Sequence, residues 1–183
     1  QLDVTQPEAW RRFDPGVDYV FFFTGLTGTL QGFELSQKFM QVNEGGLLHL
    51  LESLRTSGSA AKVIFPSTRL VYRGSDALLD EDAQKETKTP YAVNKLACEG
   101  YLSAYHAAFD LPYAVFRICV PYGSLFGGAF SYGMIGFFLR QAQAGKNIVL
   151  FGDGAQRRTL THAADICEHV LGVSLSPAVR SGV

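Results

Sequence analysis

The sequence predicts an α/β protein built on a doubly wound parallel sheet, and three observations support that reading. Short, almost uniformly apolar runs at residues 17–24, 61–66 and 113–120 have the character of strands buried on both faces. Two long segments of helical periodicity, residues 39–55 and 90–109, stand between them. Strand, helix, strand, helix, strand in that order calls for right-handed crossovers over a parallel sheet.

Taken in order, the first strand ends at Thr24-Gly25, where the chain must turn. The first helix sets Val42, Leu47, Leu48, Leu50, Leu51 and Leu54 at helical spacing, and Ser57-Gly58-Ser59 punctuates its end. Pro90 opens the second helix, where its missing N–H costs nothing. Beyond the third strand the sequence predicts a glycine- and aromatic-rich loop over 123–133 and a helix over 134–144. A short strand over 147–151 follows, then a last helix over 163–171 that opens near Asp165. The 183 residues, 47% of them hydrophobic, suffice for one packed core.

Charge and composition narrow the function classes. Lysine plus arginine number 16 against 17 acids, so no one-signed field draws the chain to nucleic acid or to an anionic membrane surface. A small ligand is the expected partner. Cys98, Cys119 and Cys167 are far apart and lack metal-ligand spacing, which points to a reducing, cytoplasmic setting and to no metal. The apolar run 19–30 is too short to span a bilayer. His49, His106, His162 and His169 fall in no triad or metal motif and read as structural or exposed.

The sharpest local feature is Tyr91-Ala92-Val93-Asn94-Lys95, which sets a phenol and an ammonium one turn apart on one helix face. A free tyrosine keeps its proton to about pH 10, so its use as a base near neutrality needs a nearby cation, and Lys95 can supply one. Ser67-Thr68 ends the second strand, at the carboxyl edge where open α/β sheets bind ligands.

These residues, with their surroundings, resemble a known family. Phe65-Pro66-Ser67-Thr68-Arg69-Leu70-Val71-Tyr72, then Pro90-Tyr91 through Lys95 and Glu99, is similar to the nucleotide-sugar epimerase/dehydratase branch of the extended short-chain dehydrogenases. Asn43-Glu44-Gly45-Gly46 looks like that family's helix start, and Thr24-Gly25-Leu26 like its cofactor-side loop. Arg117 through Tyr122-Gly123 resembles the strand and loop beside the cofactor, and Gly152 through Arg158 the segment that grips a nucleotide-sugar diphosphate.

The resemblance implies a Rossmann-like fold, NAD or NADP as cofactor with NAD favoured, and a nucleotide-sugar substrate. It assigns catalysis to Thr68, Tyr91 and Lys95. Cofactor contacts fall on Asp3, Val4, Thr24, Gly25, Leu26, Asn43, Pro66, Ser67, Tyr91, Lys95 and Cys119. Substrate contacts fall on Thr68, Arg69, Tyr91, Val120 and Arg158. Arg158 suits a diphosphate because a guanidinium fork bonds two phosphate oxygens at once. The resemblance also implies a homodimer packed through the two long helices. It divides the chain into a partial cofactor domain, 1–125, and a partial substrate-binding region, 126–183.

Some positions depart from the family pattern. Gly25 through Gly32 imitates a dinucleotide-binding glycine turn, yet only about 66 residues separate Gly25 from Tyr91, too few for the strand-helix units that intervene in the family. The true turn is therefore expected upstream of Gln1, with Leu2-Asp3-Val4 as the end of a third family strand, and the final strand and helices of the substrate lobe beyond Val183. Leu70 stands where dehydratases and decarboxylases of this branch carry an acid, which disfavours both. The expected reaction is a 4-epimerisation through a transient keto-sugar. A keto-sugar reductase, or a non-catalytic sugar-nucleotide sensor or scaffold, is the alternative.

Overall fold

A computed structural model describes residues 1–123, 133–150 and 152–183; positions 124–132 of the expected loop and position 151 of the expected strand lie outside the described residues. After a 3-10 turn at Pro7–Arg12 come β1 (Tyr19–Phe21), α1 (Thr29–Glu34), α2 (Ser36–Met40), a π-helical turn (Gln41–Gly45) and α3 (Gly46–Ser57). Then follow β2 (Lys62–Thr68), a 3-10 turn (Arg69–Val71), α4 (Pro90–Phe109), β3 (Tyr113–Ile118) and β4 (Val120–Tyr122). The described chain closes with α5 (Met134–Gln143), β5 (Leu160–His162) and α6 (Ala163–Leu175).

The chain forms two compact units, Gln1–Arg117 with Ser176–Val183, and Ile118–Leu175. In the first, the strand order is β1-β2-β3, and β1 runs parallel to β2 with Tyr19 opposite Lys62 and Phe21 opposite Ile64. The central strand is apolar because both of its faces are covered: Val63, Ile64 and Phe65 are at most 1% exposed. On α3, Leu47, Leu50, Leu51 and Leu54 recur at i, i+3, i+4 and i+7 and are all fully buried. Each such side chain contributes about 2 kcal/mol of hydrophobic stabilisation. Gly46 lets Val4 approach closely, since a Cβ there would lie 2.9 Å from the valine Cγ2. Gly58 stops α3 in the left-handed conformation, φ +66°.

At the other end of the first unit, Thr89 caps α4 by accepting the Ala92 N–H at 3.1 Å, and Pro90 fills the first helical position. The C-terminal segment returns to this unit. Tyr113 donates its N–H to the Arg180 carbonyl at 3.0 Å and Val115 to that of Gly182 at 2.9 Å, so residues 180–182 run along β3 in the same direction. Lys62 Nζ donates to the Val179 carbonyl at 2.6 Å. This return makes the first unit discontinuous in sequence.

The second unit pairs β4 with β5 in parallel, Val120 opposite Leu160 through Tyr122 opposite His162. His162 caps α6, its Nδ1 accepting the Ala164 N–H at 3.2 Å.

Several expectations need correction. The first strand is shorter than 17–24 because the Phe23 N–H turns back to the Phe21 carbonyl at 3.0 Å, ending the ladder. The run 113–120 breaks at Cys119, its two halves joining different sheets. Residues 147–150 form no strand: β4 takes β5 as its partner, and Val149 is 69% exposed. Leu2-Asp3-Val4 belongs to no described strand; the chain turns at Val4-Thr5, with the Asp3 carboxylate accepting both the Thr5 N–H and its hydroxyl. The glycine-rich stretch near Gly28 holds the short helix α1, which the turn-like composition concealed.

Candidate active site

Tyr91 and Lys95 lie in the first two turns of α4, which packs on β2 and on the turn after it. Lys95 is 5% exposed, and its ammonium donates to the Pro66 carbonyl at 2.7 Å. It sits 4.3 Å from the centroid of the Phe65 ring and 5.9 Å from that of Tyr91. A Cβ added to Gly25 would lie 4.0 Å from the same ammonium and 3.1 Å from Asn43 Oδ1, so the loop after β1 borders this position.

Burial governs the electrostatics. It pushes the Lys95 ammonium down to about 8, against a smaller upward pull from Cys98 and Glu99. It also pushes the Tyr91 phenol above its ordinary value. The sequence expectation that Lys95 makes Tyr91 acidic is not met: the phenol is raised, and desolvation of its half-buried ring is the cause.

Asn43 ties the loop to the helix bundle. Its Oδ1 accepts the Leu26 N–H at 2.7 Å and its Nδ2 donates to the Leu26 carbonyl at 3.1 Å. The π turn that carries Asn43 leaves its own carbonyl to the Cys98 thiol at 3.3 Å. Gly25, Leu26, Asn43, Pro66, Tyr91 and Lys95, which lie in four separate segments of the sequence, are thereby brought together. Thr68, 7% exposed, ends β2 and accepts the Leu70 N–H at 3.3 Å.

Other residues singled out from sequence stand differently. Asp3 is exposed and engaged with Thr5. The Val4 side chain is in the core, and its carbonyl accepts from the Trp10 indole at 3.2 Å and bonds His49 Nδ1 at 2.9 Å. Thr24 is exposed and Arg69 half-buried. Cys119, Val120 and Arg158 belong to the second unit, where Arg158 is exposed and donates to the Arg157 carbonyl and to Gln156 Oε1.

Sequence reasoning missed a buried network behind β2. Ser67 donates its hydroxyl to Glu99 Oε1, and Arg117 grips the same carboxylate through Nε at 3.1 and 3.2 Å and through a terminal nitrogen at 2.6 Å. Arg117 also donates to the Tyr72 hydroxyl at 2.8 Å. The i, i+4 step from Lys95 to Glu99 was visible in sequence, but its partner on another strand was not.

The site is thus a Tyr-Lys pair on α4 set against the end of a strand in a parallel sheet, and comparison with known proteins places the chain in a family. The chain belongs to the NAD dependent epimerase/dehydratase family, whose pattern matches residues 1–179. It is 30% identical over 158 residues to dTDP-D-glucose 4,6-dehydratase of Mus musculus, covering 86% of this chain and 43% of that protein. It is 29% identical over 181 residues to UDP-glucuronate 4-epimerase of Thermodesulfobacterium geofontis, covering 97% of this chain and 54% of that one. Among solved structures, the DesIV double mutant (dTDP-glucose 4,6-dehydratase) of Streptomyces venezuelae, with NAD bound, superposes with a TM-score of 0.81. The identity is 26%, over 92% of this chain and 51% of that one. The chain thus spans about half the length of these relatives.

Proposed function

We propose that the intact protein is an NAD-dependent nucleotide-sugar epimerase of the 4-epimerase type, acting through a transient keto-sugar. The observation behind this reading is Tyr91 and Lys95 held one turn apart over the end of β2, with Lys95 fixed to the Pro66 carbonyl and bordered by Gly25. The residues fit a dinucleotide. The described partners of the ammonium leave two of its three N–H groups for the hydroxyls of a ribose. Gly25, having no side chain, lets the Asn43-braced loop come close to the ammonium.

When bound, NAD would supply the hydride acceptor. The protein's own groups do the rest: Thr68 hydrogen-bonds the sugar oxygen, Tyr91 Oη exchanges a proton with that hydroxyl, and Lys95 holds the ribose hydroxyls. The first unit takes the cofactor, and Arg158 of the second contributes to the diphosphate. Leu70, two residues beyond Thr68, offers no acid for a dehydration. Two copies pair through α3 and α4.

The test is turnover of UDP- and dTDP-hexoses by the intact protein. Expected are retained NAD absorbance, a 4-epimeric product without net NADH consumption, and a fall in turnover of about a hundredfold or more in Tyr91→Phe. Net NADH consumption would instead mark a reductase. Wild-type protein with neither NAD nor turnover would sink the reading, and a sedimentation mass of one chain would remove the pairing.

A further inference from the structure

We propose that Glu99, fastened by Arg117 and Ser67, is a positioning residue that holds the end of β2 in register with α4 and so keeps the Pro66 carbonyl beneath the Lys95 ammonium. The inference rests on the reading of Lys95 as a working group of the site.

The geometry is specific. Glu99 lies one turn beyond Lys95 on α4 and is 7% exposed. Its carboxylate receives three donors from two different strands: the Ser67 hydroxyl from β2, and the Nε and a terminal nitrogen of Arg117 from β3. Ser67 is flanked by Pro66, whose carbonyl takes the ammonium, and by Thr68, whose hydroxyl caps the next turn. One carboxylate therefore ties the helix bearing Tyr91 and Lys95 to the strand end bearing Pro66 and Thr68. Arg117 is itself held from the far side by the Tyr72 hydroxyl at 2.8 Å and the Glu81 carbonyl at 2.7 Å, which fixes its fork. A buried ion pair is weak evidence for stability, and its best-attested use is to specify one arrangement among several.

Lys95 reports on this arrangement. The titratable groups of α4 that face it are Tyr91, Cys98 and Glu99; β2 presents the Phe65 ring and the Pro66 carbonyl, and the loop after β1 presents Gly25. Both the negative charge of Glu99 and the Pro66 carbonyl favour the charged ammonium, so loss of either lowers its titration midpoint.

The experiment follows the Lys95 midpoint by NMR of the intact protein carrying ε-13C-lysine, the resonance being assigned by its absence from Lys95→Met, beside a thermal melt. Glu99→Gln should lower the midpoint from about 8 by about one pH unit. Ser67→Ala, which keeps both charges, should also lower it, because the carbonyl drifts from the ammonium. Because Glu99→Gln also removes a charge that favours the ammonium, Ser67→Ala separates the readings: a merely structural network would lower the melting temperature and leave the Ser67→Ala midpoint in place. A folded Glu99→Gln protein with an unmoved midpoint overturns the proposal. Whether or not Glu99→Gln folds, an unmoved midpoint in Ser67→Ala overturns it alone. The titration needs no turnover, so an inactive wild type would refute the epimerase reading without deciding this one.

Discussion

The residue whose environment says most is Lys95. Unfolded, its ammonium keeps its proton to the ordinary 10.5; folded, burial brings that down to about 8. Below pH 8 both states carry the charge, and the folded state bears the full cost of burying it. Between pH 8 and 10.5 the unfolded state binds the extra proton, so stability from this group rises with pH across that window. The difference corresponds to about 3 kcal/mol, offset by about 1 kcal/mol from the bond to Pro66. Lys95→Met should therefore stabilise the fold by about 2 kcal/mol at pH 7 and abolish the rise, as measured by denaturant unfolding at pH 7 and pH 10. A variant less stable than wild type at pH 7 would contradict the assigned burial cost. A residue that destabilises its own fold yet sits at the centre of the site is what a functional role leads one to expect.

The elements succeed or fail by their neighbours. The leucines of α3 form one buried stripe, and Leu50, with no exposed surface, lies in the middle of it. Leu50→Ala should cost about 3 kcal/mol and lower the melting temperature accordingly, with no change in cofactor affinity per folded molecule. The helices were the most legible parts of the sequence: the bounds of α4 follow from Pro90 at its start and from the end of its periodicity. Strand ends were less so. Residues 17–24 look like one long buried strand, yet the bonds to β2 run only from the Asp18 carbonyl to the Phe22 N–H, since hydrogen bonding to a neighbour, and not apolar character, decides where a strand stops. Residues 147–150 are apolar enough for a strand, but β4 found its partner at Leu160–His162. The π turn that orients Asn43 left no trace in the spacing of Val42 and the leucines after it.

At the scale of the whole molecule, the division into two units carries a prediction about substrate handling. Tyr91, Lys95 and the Asn43-braced loop all belong to the first unit, and Arg158 to the second. If the second unit serves the diphosphate of the sugar nucleotide, Arg158→Ala should raise KM for the substrate by about tenfold or more while NAD binding is unchanged. An equal loss of NAD affinity would remove that division of labour. No described helix is long and apolar enough to cross a membrane. The sequence itself determined the alternation of strands and helices and the Tyr91-Lys95 spacing, because these are local: periodicity and helix geometry act over a few residues. Only the tertiary structure decided that Lys95 rests on Pro66, that Asn43 holds Leu26, and that Glu99 meets Ser67 and Arg117. Those contacts join residues 17 to 32 positions apart, and chain folding, not spacing, determines which buried polar groups find each other.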